Sequence, residues 1–120
     1  MEQISVDIDN NVHTITLNNG KVNAISHQVI SEINQALDQA EQEKAVVILT
    51  GRIGVFSGGF DLNTMKSGPE SAIGLVTEGS KLAHRMLAFP TPIIGLCTGH
   101  AIAKGAFLLL CCDYRIGCAG

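Results

Sequence analysis

Phe56-Ser57-Gly58-Gly59-Phe60-Asp61-Leu62 and Thr98-Gly99-His100-Ala101-Ile102-Ala103-Lys104-Gly105-Ala106-Phe107 are two glycine-bearing turns, and together they decide how this chain reads. Each follows a short apolar run of strand character, and each leads into a run of helical character. Gly58 and Gly59 in the first turn, and Gly105 in the second, let backbone approach backbone or ligand closely. Side by side, two such turns present N–H groups at one point, an arrangement that stabilises the oxyanion of a carbonyl compound. Either turn alone reads as an ordinary strand-to-helix connection. Two of them, each behind a buried strand, point to an oxyanion site. Losing one donor from such a site typically costs about 3 kcal/mol of transition-state stabilisation.

Outward from the turns, the rest of the chain falls into alternating elements. Ile4, Val6 and Ile8 alternate with Ser5, Asp7 and Asp9; after an Asn10-Asn11 turn, His13, Ile15 and Leu17 alternate again, so residues 3–17 predict a β-hairpin. Ser26 is a good N-cap, and Val29, Ile30, Ile33, Ala36, Leu37 and Ala40 follow at helical spacing. Ala45 to Leu49 is a continuous β-branched run of the kind covered on both faces. Pro69 suits the first turn of a second long helix carrying Leu75, Leu82 and Met86. Ile93 to Cys97 repeats the buried-strand pattern, Gly105 to Cys112 reads as a buried helix, and Asp113-Tyr114-Arg115-Ile116 as the start of one more strand. The order ββ, then α-β-α-β-α-β, predicts an α/β fold with a mixed sheet and covering helices. Residues 1–120 read as one core domain, and a layer that stops directly after a strand predicts a piece of a longer chain.

Composition narrows the partners. Hydrophobic residues make up 46% of the chain and charged residues 16%, a globular rather than a disordered balance. A net charge of −3, without a basic cluster or an aromatic platform, argues against nucleic acid. The apolar stretch from Pro92 to Cys112 is interrupted by His100, Lys104 and glycines well short of the ~20 residues a membrane span needs. Cys97, Cys111, Cys112 and Cys118 lack paired metal-site spacing, so no metal is expected and reduced core thiols are. The acidic, strand-like start at Met1-Glu2-Gln3 is unlike a secretory signal, and a cytoplasmic location is the expectation.

Several motifs bring a family resemblance into view. The chain is similar, over essentially its whole length, to the amino-terminal half of the crotonase (enoyl-CoA hydratase/isomerase) family. Thr14-Ile15-Thr16-Leu17 followed by Val22-Asn23-Ala24-Ile25 resembles the family's opening strand and "NA" segment, and Val46-Val47-Ile48-Leu49-Thr50-Gly51 the strand before its first hole motif. Phe56 to Leu62 resembles F-S-A-G-x-D-L; Pro92-Ile93-Ile94-Gly95 with Gly99-His100-Ala101 resembles the second hole strand and turn, and Cys112-Asp113-Tyr114-Arg115-Ile116 the closing C-D-x-R-I. The resemblance implies a crotonase-like spiral core shared with caseinolytic peptidases, here incomplete, and an acyl-CoA thioester as ligand. It places the backbone N–H groups of Phe60 and Lys104 in the oxyanion hole, with Gly58, Gly59, Asp61 and Gly105 about the thioester. Lys21, Val22, Asn23 and Ala24 fall in the part that lies against the adenine end of coenzyme A. Coenzyme A enters as part of the substrate, with no separate cofactor, and the family's habit of forming trimers and dimers of trimers implies a homo-oligomer.

Two departures bear on the chemistry. The family's glutamate position at the second turn is Phe107, which cannot move a proton, so hydration by two carboxylates is disfavoured against isomerisation by one downstream base or another, unassigned acyl-CoA reaction. Lys104 stands where glycine is usual; its cation either assists ligand binding or snorkels. Asp61 reads as a helix cap rather than a base, His100 as a structural hydrogen-bonding residue rather than a ligand contact, and Glu70 and Glu78 as minor candidates for an acid. Two other readings compete. In caseinolytic-type serine peptidases the nucleophile would fall on Ala103, which has no hydroxyl to acylate. A crotonase-fold protein that binds acyl-CoA or assembles with relatives, having lost its acid, is the non-enzymatic alternative.

Overall fold

A computed structural model describes residues 3–117. The elements run β1 (Ile4–Asp9), β2 (Val12–Leu17), α1 (His27–Glu43), β3 (Val46–Thr50), β4 (Gly54–Ser57), α2 (Leu62–Lys66), α3 (Pro69–Leu87), β5 (Ile93–Cys97), β6 (Gly99–Ala101), α4 (Lys104–Leu110) and β7 (Tyr114–Gly117). The mixed α/β arrangement expected from the sequence is present. Five strands form one sheet in the order β1-β2-β3-β5-β7, while β4 and β6 pair separately. Only β1 runs antiparallel, as the first arm of the hairpin; β2, β3, β5 and β7 are parallel. Parallel neighbours need crossovers, and the long segments containing α1, α3 and α4 supply them.

The helix over 27–43 forms for the reasons its sequence carries. Ser26 Oγ accepts the Val29 N–H at 3.1 Å, and Val29, Ile30, Ile33, Ala36, Leu37 and Ala40 form the buried stripe. Lys44 ends it in the left-handed conformation, with its N–H returned to the Ala40 and Glu41 carbonyls. That stripe lies over Ile15 and Leu17 of β2, Val47 and Leu49 of β3, and Ile93 of β5. Burying each such aliphatic side chain is worth roughly 1.5–3 kcal/mol, so this layer is the stabilising centre of the molecule. Helix α3 closes the same core with Leu75, Leu82 and Met86. Its Arg85 reaches α1, pairing with Asp38 at 2.7 Å and donating to the Asn34 carbonyl at 3.1 Å.

Two buried polar groups depart from the simple stripe. Glu32 is 6% exposed and lies under the start of β1, where its Oε1 accepts the Gln3 N–H at 2.9 Å and the Ile4 N–H at 3.2 Å. Burial pushes its pKa upward, but these donors and the Gln28 side chain outweigh it and leave the carboxyl below the usual range. His13 is wholly buried in β2, and neither ring nitrogen makes a hydrogen bond among the described residues; Glu43 Oε1 stands 3.5 Å from Nε2.

Expected alternation fades along β1. Ile4 is buried, Val6 half-buried and Ile8 46% exposed, on the edge strand of the sheet. The thiols Cys97, Cys111 and Cys112 are free, the last two buried, and burial pushes Cys112 up to about 12. Cys118 lies outside the described residues. No described helix is long and apolar enough to cross a membrane.

Candidate oxyanion site

Strands β4 and β6 deliver the two glycine-bearing turns to one place. They pair in parallel, Gly54 opposite Gly99 and Ser57 opposite Ala101, and the contact is so close that a Cβ on Gly99 would overlap the Gly54 backbone. Past the strands, the Ile102 N–H donates to the Ser57 carbonyl at 2.9 Å. A Cβ on Gly105 would overlap that same carbonyl. A Cβ on Gly59 would lie 3.1 Å from the Ile102 carbonyl, 3.2 Å from Ala103 Cβ and 3.4 Å from the Lys104 nitrogen. Gly59 therefore packs against the corner at which Lys104 begins α4. Its φ of +100° is a conformation that favours glycine for a second, independent reason.

The orientation of the Phe60 N–H follows from the strand geometry around it. The segment Gly59–Asp61 bridges Ile25: the Ile25 N–H donates to the Gly59 carbonyl at 2.8 Å and the Asp61 N–H to the Ile25 carbonyl at 2.9 Å. In an extended segment alternate N–H groups point to opposite sides, so the Phe60 N–H faces away from Ile25. Lys104 is the first residue of α4, where N–H groups have no partner within the helix. Among the described residues, neither the Phe60 nor the Lys104 N–H donates to another group. The structure thus brings together Gly58, Gly59, Phe60, Lys104 and Gly105.

Asp61 faces the chain rather than the gap. Its Oδ2 accepts the Thr64 N–H at 3.0 Å and the Thr64 hydroxyl at 2.8 Å, capping α2. Around residues 21–24 the side chains divide. Asn23, 1% exposed and at φ +51°, is a bolt: its Nδ2 donates to the Leu17 and Phe56 carbonyls at 3.1 Å each, and its Oδ1 accepts the Asn19 N–H at 2.7 Å. Its own carbonyl accepts the Ser57 hydroxyl at 2.8 Å, and Ser57 Oγ in turn accepts the Gly59 N–H at 3.1 Å. The Val22 carbonyl accepts the Gly58 N–H at 2.7 Å. Lys21 and Val22 are exposed, and Ala24 is half-buried.

Beside this corner lies an open cleft of about 490 Å³, lined by Phe60, Ser80, Ala103, Lys104 and Phe107. Phe107 occupies this wall with its ring, 52% exposed. The Lys104 ammonium sits over two rings, 4.7 Å from the Phe107 centroid and 5.5 Å from that of Phe60. Burial pulls the Lys104 pKa below the ordinary lysine range, against a smaller opposing influence of Cys111. Glu78 belongs to a different groove with His27, Asn34 and Gly74 and pairs with Lys81 at 3.6 Å; Glu70 is exposed in the first turn of α3. His100 is an exposed residue of β6, opposite Val55. Among the described residues no group of three or more His, Cys, Asp or Glu side chains could hold a metal ion.

Two features of the site escape a reading of the sequence. Ala103 adopts φ +52° and ψ −119°, a region left almost entirely to glycine, and is the N-cap of α4 without a side-chain cap. Gly79 of α3 gives the Phe60 ring and the Lys104 stem their room, since a Cβ there would lie 2.6 Å from Phe60 Cζ and 3.2 Å from Lys104 Cε. A glycine in the middle of an amphipathic helix was the available signal for the second.

The family described as enoyl-CoA hydratase/isomerase matches residues 7–119. A protein of Bacillus subtilis (strain 168) described as a probable enoyl-CoA hydratase is 34% identical over 97% of this chain and 46% of its own length. The crystal structure of an enoyl-CoA hydratase/isomerase family protein from Pseudomonas syringae superimposes with a TM-score of 0.97 and 60% identity, over 99% of this chain and 52% of that one. A Mycobacterium tuberculosis structure described as an enoyl-CoA isomerase gives a TM-score of 0.88 at 39% identity, over 95% and 50% of the two chains. The chain spans about half the length of these relatives.

Proposed function

From the premise that this chain belongs to the enoyl-CoA hydratase/isomerase family, we propose that it forms the thioester-binding half of an acyl-CoA enzyme whose reaction passes through an enolate. The observation that supports the reading is the packing of Gly59 against the Ile102–Lys104 corner, where a Cβ on Gly59 would lie 3.4 Å from the Lys104 nitrogen; we read the Phe60 and Lys104 N–H groups as the pair of donors. A thioester carbonyl placed between them gains two hydrogen bonds that strengthen as its oxygen becomes negative. Both donors are fixed in advance by β4, β6 and the Ile25 bridge, so no reorganisation is needed when the charge develops. Lys21 and Val22, exposed beside the first turn, are read as the surface for the adenine end of coenzyme A.

Isomerisation of a β,γ-enoyl thioester to its α,β isomer fits these parts. One base removes the α proton, the electrons move into a dienolate whose oxygen lies in the hole, and the same proton returns at the γ carbon. Hydration instead requires two groups to manage one water, and Phe107 offers none at the position where the family resemblance expects a glutamate. The single base is assigned to a carboxylate from the part of the relatives' length that this chain does not span. The relative described as an enoyl-CoA isomerase supports this choice. Coenzyme A is then a portion of the substrate, and a cytoplasmic homo-oligomer, trimer or hexamer, is the expected state.

Parallel turnover assays of the full-length protein on a β,γ-enoyl-CoA and an α,β-enoyl-CoA test the proposal. Conversion of the first alone is the expected result; hydration of the second would overturn the single-base assignment. Phe107 also favours one second reading, a protein that binds acyl-CoA without turning it over, which predicts retained affinity and no product from either substrate.

A further inference from the structure

A lysine in a largely apolar cleft asks for an anion. Of the five residues lining the cleft beside the hole, Phe60, Ala103 and Phe107 are apolar, and Ser80 and Lys104 supply the polar groups. No carboxylate lines the cleft among the described residues, and Lys104 takes part in none of the ion pairs found there. Its ammonium is instead held over the faces of Phe60 and Phe107. Aromatic faces favour the charged form and accept no conventional hydrogen bond, so the ammonium keeps N–H donors for a ligand. The side chain also leaves the backbone hole behind it: Cε passes against Gly79 of α3, and a Cβ at Gly79 would obstruct it. The charge therefore stands on the α3 side of the cleft, where Ser80 follows Gly79 in the same helix, rather than at the thioester oxygen.

We propose that Lys104 and Ser80 form a carboxylate-recognition site, and that the preferred acyl group carries a carboxylate in addition to its thioester. This rests on the acyl-CoA reading and adds the class of acyl group. A carboxylate would accept from the Lys104 ammonium and from the Ser80 hydroxyl, while Phe60 and Phe107 cover the methylene chain between it and the thioester. An unsubstituted acyl chain would fill the same cleft and leave the ammonium without an anion among the described residues.

Calorimetric titration of the full-length protein with saturated, unreactive pairs, butyryl-CoA against succinyl-CoA and hexanoyl-CoA against adipoyl-CoA, tests this directly. The nucleotide is common to each pair, so its phosphates cancel. In at least one pair the carboxylate-bearing ester should bind about tenfold more tightly, the size of a charge-assisted hydrogen bond. Lys104→Met, which retains the backbone N–H, should bring the pair to within about twofold, and Ser80→Ala should remove part of the preference. Equal affinities in the unaltered protein for both pairs would overturn the inference, whatever the variants do. So would a preference that survives Lys104→Met. Failure of all four esters to bind would instead strike the acyl-CoA reading on which it stands.

Discussion

In the first turn, the Ser57 hydroxyl ties the Asn23 carbonyl to the Gly59 N–H, Asn23 bolts the approach, and Asp61 caps the helix that follows. Across the gap, side-chain bonds among the described residues reach only the start of the second turn, where the Thr98 hydroxyl donates to the Val55 carbonyl at 3.4 Å and Cys97 Sγ to the Gly99 carbonyl at 3.1 Å. Backbone bonds hold the rest, from the Ile102 N–H to the Ser57 carbonyl and from the Gly105 N–H to the Ile102 carbonyl, and its helix starts from a strained Ala103. The two proposed donors, the Phe60 and Lys104 N–H groups, are thus positioned by unequal means. The first is fixed by the Ile25 backbone bridge together with the Asn23 and Ser57 side chains. The second is fixed by contact with the first, which makes the close approach of the two turns the point at which the site can fail.

Gly105→Ala attacks that contact and should have the largest effect. The new methyl overlaps the Ser57 carbonyl, so the turns must separate. We expect turnover by the full-length protein to fall about a hundredfold, the scale of one lost hole donor. Destabilisation of about 2–3 kcal/mol in denaturant titration should accompany it. A variant with ordinary stability and turnover would mean that the close approach does not set the site.

Asn23→Ala tests the bolt on the other side and should cost about 2–3 kcal/mol in the same titration. It leaves the Leu17 and Phe56 carbonyls and the Asn19 N–H to find new partners, and it puts alanine at φ +51°. A cost below 1 kcal/mol would show that the backbone bonds alone hold the first turn.

How much of this contrast could be read from the chain alone follows from its physics. The strands and helices were legible because their periods are local: Val29 to Ala40 keeps a helical stripe, and Ile93 to Cys97 an apolar strand run. The turns were legible through their glycines, and Asp61 through its position before Thr64. Legibility ended where a residue's role depends on what arrives from elsewhere. Asn23 looks like any turn asparagine until Leu17 and Phe56 are placed beside it. Lys104 looks solvent-bound until Gly79 makes room for its stem and two rings receive its charge. The separate pairing of β4 with β6 was hidden too, because strands of four and three residues carry too little pattern to announce a partner.

Asp61→Ala should have a smaller effect, because it removes a cap from a helix of only five residues. The loss of two bonds to Thr64 should lower stability by about 1 kcal/mol. The readout that sharpens the contrast is hydrogen exchange, which should quicken over residues 62–66 and leave α4 unchanged.

Ala103→Gly is the counterpart in the second turn, and its expected sign is opposite. Alanine is held there at φ +52° and ψ −119°, at a cost of order 1–3 kcal/mol, whereas glycine enters that region freely. Glycine also gives the unfolded chain more freedom, which takes back about 0.5–1 kcal/mol. A net gain of about 0.5–1 kcal/mol should therefore appear as a raised denaturant midpoint at unchanged slope. A loss of stability would mean that the Ala103 methyl, which faces Gly59, contributes more by contact than its backbone loses by strain. The second turn would then be fastened by a side chain after all, and the asymmetry between the two donors would disappear.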